Sequence, residues 1–338
     1  MQIRKTIAQH LLTLAALVCL ASMALAQANS GIGPGLAYPP ASEASDQKAG
    51  SVLIYNFYSS DAGAPATDTR FSITNVNARQ GVWAHLFFVD GANCTAQDVY
   101  QYLSPNKTTV FSASYYDPLT TGFLVVVATN PDNGCPISHN FLIGSAFVNF
   151  RNGADVYRAN LPAVAVAALA DTGKEIECDE VNYIATLRFN GTAGNYNRLA
   201  RVVAVDNFGS AAAPDNNRGL VVLNRIAGSL ATGVTAVGTL FGVMYDDDET
   251  PYSFSFTSGS CQFRNVIGNN FPIIAPPTNT IVPAGHSGWM KFYSLTADNA
   301  YTGSYINIDG VNGNGGHNLS HLTLSAAGSF VVPLVPYN

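Results

Sequence analysis

From Ser51 onward the chain alternates between short apolar runs and turn-forming clusters, and within most runs the period is two. Residues 69–75 (TRFSITN) set Phe71 and Ile73 on one face against Arg70, Ser72 and Thr74 on the other, the pattern of a half-buried strand. Residues 51–57 (SVLIYNF) are β-branched and aromatic. Residues 82–90 (VWAHLFFVD) and 122–129 (GFLVVVAT) are apolar almost throughout and predict buried strands, with 82–90 central in its sheet. A further strand is predicted over 108–114, after the turn Ser104-Pro105-Asn106-Lys107. The same signal returns over 183–189, 199–205, 219–226, 238–245, 252–256, 287–293, 301–308 and 319–324. Residues 329–335 add an edge strand, since Pro333 and Pro336 suit an edge better than a centre.

One segment breaks the period. Over 161–170, Pro162 suits a first helical turn, the alanines favour helix, and Gly173 can end it. The charged residues 171–180 that follow read as an exposed crossover. Short strands separated by turns at this spacing indicate an all-β chain of antiparallel β-sandwiches. The expected organisation is a first sandwich over 48–160, a short helical and charged crossover over 161–180, and a second sandwich over 181–338.

The first 47 residues do not fit this pattern. Arg4 and Lys5 precede an apolar stretch, and Ala24-Leu25-Ala26 supplies a small-x-small site, so residues 1–26 read as a signal peptide. Residues 27–47, rich in Gly, Pro, Ser and Ala, read as a flexible linker. The expected location is secreted or cell envelope, with no transmembrane segment once the signal is removed. Four cysteines, Cys94, Cys135, Cys178 and Cys261, remain in the mature chain. An even count in an exported chain favours two disulfides. Pairing within each half gives Cys94–Cys135 and Cys178–Cys261.

Composition narrows the function classes. Charged residues make up 11% of the chain, against roughly a quarter in ordinary soluble domains. Asn, Ser, Thr, Gly and Tyr replace them. Loss of Arg4 and Lys5 with the signal takes the net charge from −6 to −8, and the sequence shows no basic run, which argues against nucleic acid as a partner. The sharpest chemical feature is Asp246-Asp247-Asp248-Glu249. Four hard oxygen donors could serve Ca²⁺, the one cofactor the sequence suggests. The plainer reading is a solvated hairpin tip between the strands on either side. Residues 309–317 (DGVNGNGGH) read as a glycine-rich loop, and His317 and His321, four apart on a strand, lie too far apart to share a metal. Asp171-Thr172-Gly173 resembles a short aspartic-protease signature but lacks its strand context. Asp206 and the 246–249 acids are the available carboxylates for glycoside chemistry. Trp83 and Trp289 read as core. Tyr55, Tyr58, Tyr115, Tyr116, Tyr196, Tyr293, Tyr301 and Tyr305 are candidates for sugar stacking or an interface.

The segments KAGSVLIYNFYSS, TRFSITNVN, VWAHLFFVDGANC, LSPNKTTVF and SGWMKF together resemble a group of uncharacterised exported bacterial proteins. The resemblance covers most of the mature chain and implies immunoglobulin-like sandwich halves; it carries over no catalytic residue. The functional expectation is a non-enzymatic protein that works by surface contact, through self-association or contact with surface glycans or proteins. The alternative is a carbohydrate-binding module or glycan-active enzyme using surface aromatics and the acidic loop.

Overall fold

The computed structural model describes residues 43–60, 67–268, 270–309 and 313–336. The expected signal peptide and residues 27–42 of the expected linker lie outside the described residues. The chain is all-β, 58% strand and 3% helix. The first half builds β1 (Val52–Ser60), β2 (Arg70–Asn75), β3 (Val82–Asp90), β4 (Ala96–Leu103), β5 (Thr108–Ser112), β6 (Thr120–Thr129), β7 (Leu142–Asn152), β8 (Asp155–Pro162) and β9 (Val164–Val166), with a one-turn helix α1 (Ala113–Tyr116). The second half adds β10 (Cys178–Asp179), β11 (Ile184–Phe189), β12 (Ala200–Gly209), β13 (Arg218–Arg225), β14 (Gly228–Ser229), β15 (Gly233–Val234), β16 (Gly238–Asp246), β17 (Pro251–Ser258) and β18 (Gln262–Val266). After the short helix α2 (Thr278–Ile281) come β19 (Ser287–Tyr293), β20 (Tyr301–Asp309), β21 (Gly313–Asn318), β22 (Ser320–Leu324) and β23 (Gly328–Pro333).

These strands form four sheets. The central one runs β4-β3-β6-β1-β9, and a second, β5-β2-β7-β8, packs on one of its faces. The central strands follow a strict period of two. Leu53, Tyr55, Ala84, Leu86, Phe88, Leu124, Val126 and Ala128 meet Phe71, Ile73, Ala146, Val148, Tyr157 and Leu161 of the second sheet. Their alternates, Val52, Ile54, Phe87, Val89, Phe123, Val125 and Val127, meet Ala185, Leu187, Phe189, Phe330 and Val332. Those partners belong to a third sheet, β10-β11-β23-β14-β15. The central sheet is therefore buried on both faces, and this is why β3 and β6 are apolar throughout, a pattern usual in sheets covered on both sides. Each fully buried Leu, Val or Phe here contributes about 1.5–3 kcal/mol of transfer free energy.

The fourth sheet runs β17-β16-β19-β12-β20-β13-β18, with β21 on β20 and β22 on β12. One face holds a separate core of Val203, Val205, Val221, Leu223, Leu240, Met244, Met290 and Phe292, capped by Phe271, Ile281 and Val282. Leu220, Val222 and Ile306 point the other way, into the first-half core. The halves thus share two of three cores, and residues 161–180 do not divide them.

Several expectations are corrected. The segment expected to be helical, 161–170, is extended: β8 ends at Pro162 and β9 pairs with β1, Val52 opposite Val166 and Ile54 opposite Val164. Burial of Val164 and Val166 on the central sheet outweighs the helix propensity of the alanines. The 329–335 strand is interior, since β23 lies between β11 and β14; Pro333 falls at its last paired position, where the missing donor costs little. The glycine-rich run 313–317 belongs to β21, which pairs with β20 along its length. Residues 43–47 of the expected linker are pinned: Ala44 is buried, Ala44 N donates to Arg198 O, and Ser45 pairs with Ala165.

Two disulfides form among the described residues, in the pairing opposite to that expected: Cys94–Cys261 and Cys135–Cys178, with Cα separations of 5.4 and 6.0 Å. Cys94, just past β3, lies beside Cys261, just before β18, because Gln262 N donates to Gly91 O and Val234 N to Cys94 O. A within-half pairing presumed separate halves. Near this junction β1 carries a bulge between Tyr55 and Tyr58. The bulged Asn56 accepts from Asn224 Nδ2 and Gln262 Nε2 through its carbonyl, and donates to Gly303 O and Asn318 Oδ1. This buried network joins the two halves with hydrogen bonds that leave little slack in register.

Candidate functional site

The acidic run lies at the β16–β17 hairpin. Asp246 ends β16 and accepts, through Oδ1, the backbone N–H groups of Asp248 and Thr250, so its carboxylate closes its own turn. Asp247 Oδ2 turns outward to His286 Nδ1, 2.6 Å away. Asp248 and Glu249 are exposed, and Glu249 takes a left-handed φ of 65° that completes the tip. The four carboxylates splay. Among the described residues no three His, Cys, Asp or Glu side chains gather as they would to hold a metal ion. Asp206, in the bulge of β12, does not join them; its Oδ1 lies 2.9 Å from His317 Nε2. Asp171 sits in an exposed turn, its carbonyl accepting from Lys174 N.

What the hairpin adjoins is an aromatic platform. On β17 the alternation is clean: Tyr252, Phe254 and Phe256 face inward, while Ser253, Ser255 and Thr257 face out. The register carries this across to β16 and β19, where Phe241, Val243 and Tyr245 stand beside Tyr293, Lys291 and Trp289. Tyr245 and Trp289 are stacked, with ring centroids 4.4 Å apart and an interplanar angle of 5°. Lys291 Nζ lies 5.6 Å from the tyrosine centroid and 5.8 Å from the indole, within cation–π range. All six are half-buried, because their inward neighbours Leu240, Met244, Met290 and Phe292 fill the core. Trp289 was expected in the core and instead lies on this outer face. Trp83 likewise joins no core; it is half-buried and meets Tyr102 with the rings tilted at 46°, centroids 5.2 Å apart. Of the candidate tyrosines, Tyr55, Tyr58, Tyr196, Tyr301 and Tyr305 are buried, Tyr115 is exposed and Tyr293 belongs to the platform.

A shallow cleft of about 290 Å³ opens between the N-terminal segment and β22, lined by Glu43, Asp46, Asn318, Ser320 and His321. Burial holds the His321 imidazole below its usual range, against the pull of Glu43 and Asp46. Glu43 and Asp46 carried no sequence signal, since they lie in a stretch that reads as linker. Elsewhere, buried His85 meets Asp98 at 2.7 Å and stacks on Tyr100. Burial lowers its basicity, and the hydrogen bond from His85 lowers that of Asp98. Buried Asp117, raised by desolvation, accepts from Tyr58.

No protein-family model matches the chain, and no curated protein matches it. Among solved structures, the Thermotoga maritima 1070 protein aligns with 37% of this chain and 98% of its own, at 7% identity and a TM-score of 0.27. A lectin from Pleurotus ostreatus, solved with GalNAc, aligns over 86% of each chain at 11% identity and a TM-score of 0.13.

Proposed function

We propose that this is an exported, non-enzymatic β-protein that acts by contact through its sheet faces, as an adhesive, matrix or self-assembling envelope component. Its sandwich halves are read as immunoglobulin-like, in line with the exported bacterial proteins it resembles. The observation that carries the proposal is the pair of outer sheet faces left open among the described residues. On the β5-β2-β7-β8 sheet, Val110, Ile143 and Phe147 are exposed among Ser and Thr side chains. On the β16–β17–β19 strands the aromatic platform lies among serines. Exposed apolar groups rimmed by polar ones mark interaction surfaces. Two disulfides fit an oxidising compartment, and no helix among the described residues is long and apolar enough to cross a membrane. The expected result is concentration-dependent assembly on size exclusion, or retention on cell-surface material, by the protein recovered from the secreted or envelope fraction. A strictly monomeric, non-adhering species at high concentration overturns it.

A glycan-binding reading is favoured by one observation, the parallel Tyr245–Trp289 pair beside Lys291 and the acidic tip. A flat amphipathic aromatic surface offers both stacking area and polar edges to a sugar ring. On a glycan array Trp289→Ala is expected to weaken binding by at least about fivefold, the effect of losing a hot-spot aromatic. Unchanged binding removes the platform from the site.

A further inference from the structure

The outer face of the β5-β2-β7-β8 sheet carries a second feature that the linear sequence hides. Its outward positions are fixed by the inward ones: Phe71, Ile73, Ala146, Val148, Tyr157, Ala159 and Leu161 enter the core, so Arg70, Phe147, Arg151, Arg158 and Asn160 face out. All five are exposed. Register places Arg70 opposite Phe147 and Phe147 opposite Asn160, with Arg158 opposite Asn149 and Arg151 opposite Val156. From strand spacing and rise, the Arg158 Cα lies roughly 8 Å from that of Arg151 and roughly 12 Å from that of Arg70.

Three cations so placed in a chain of net charge −6 need an account. Among the described residues no carboxylate pairs with any of the three. The acids at the margins are engaged elsewhere. Asp68 accepts from Ser114, Asp155 from Arg218, and Asp46 from Asn318. The guanidinium is a planar fork that matches carboxylate and sulfate oxygens in pairs. Asn160 supplies a neutral hydrogen-bonding group among the arginines, Ser72 and Ser145 supply others on the far side of Arg70, and Phe147 with Val110 supplies apolar contact.

We propose that this face binds an acidic polysaccharide, its carboxylate or sulfate groups taken by Arg70, Arg151 and Arg158 and its sugar faces lying along Phe147 and Val110. Charge complementarity selects the occupant. A second copy of this chain is a weaker fit: at its acidic tip Asp246 closes its own turn and Asp247 is on His286, which leaves Asp248 and Glu249 to face three arginines. The site is distinct from the aromatic platform and does not depend on it.

The test measures binding of the mature protein to immobilised polygalacturonate, dextran sulfate and neutral dextran, at low and high salt. The triple variant Arg70→Gln, Arg151→Gln, Arg158→Gln is compared with a charge-matched control, Lys174→Gln, Arg188→Gln, Arg201→Gln. Thermal melting verifies that both fold. Binding to either acidic polymer, weakened at least tenfold by the triple variant and at most twofold by the control, supports the proposal; the polymer arms tell carboxylate from sulfate recognition. Trp289→Ala leaves this binding unchanged if the two faces are separate. Equal losses in both variants, no binding to either acidic polymer, or equal binding to neutral dextran overturns it. So does tighter binding to single-stranded DNA, or a triple variant that loses self-association while retaining polymer binding.

Discussion

His139 shows how a single side chain couples this core to pH. It is 3% exposed, its ring lies 3.0 Å from Asn75 Oδ1 through Nε2, and its backbone N–H donates to Ser51 Oγ. Burial pushes the imidazole from an ordinary 6.5 down to about 4, so it is neutral in the folded protein at pH 7. Between about pH 6.5 and 4 the unfolded chain binds a proton that the folded chain does not. Stability therefore falls as pH drops through this window, by up to about 3 kcal/mol from this residue. His85 and His321 are shifted the same way and steepen the slope. Urea unfolding of His139→Asn between pH 7 and 4 is expected to show a shallower slope than the parent. An unchanged slope shows that another group dominates. In the sequence His85 stands inside the apolar run 82–90 and His139 stands near a turn. Their partners are not legible there, since Asn75 lies 64 positions from His139.

At the scale of elements, strands with clear alternation or continuous apolar runs were legible to within a few residues. β3 and β19 match their expected limits. The strands that escaped notice, such as β4, β7 and β18, carry mixed patterns because only part of each is buried. β4 lies at a sheet edge with Gln97, Asp98 and Gln101 among its residues, so no apolar face announces it. The error at 161–170 has the opposite origin: a local propensity for helix yields to the end of β8 and to β9, whose valines complete the central sheet. Trp289 shows a subtler limit. Period-two patterning places it on one face of β19 and Met290 on the other, but cannot say which face meets the core. The answer depends on Phe271, Ile281 and Val282 covering the methionine side.

For the whole molecule, the disulfides rank the connections between parts. Cys94–Cys261 spans 167 residues and ties the edge of the central sheet to the fourth sheet; Cys135–Cys178 spans 43. By loop-closure entropy their removal costs about 5 and about 4 kcal/mol. Equilibrium unfolding of Cys94→Ser/Cys261→Ser and of Cys135→Ser/Cys178→Ser is expected to show the larger loss in the first. Comparable or reversed losses mean that the unfolded chain keeps structure that closes the long loop. Because the halves share cores, neither variant is expected to unfold in two separate steps.

The sequence by itself determined the all-β class, most strand positions, the scarcity of charge and the presence of four cysteines able to pair. These follow from periodicity and composition, which are local properties. Only the tertiary structure decided which cysteines meet, that the central sheet is covered on both faces, and which side of each outer strand is left open. It also decided that Arg70, Arg151 and Arg158, too scattered along the chain to read as a basic patch, stand together on one face. Strand pairing and layer stacking depend on contacts between residues far apart in sequence, and no local pattern encodes which strand becomes a neighbour.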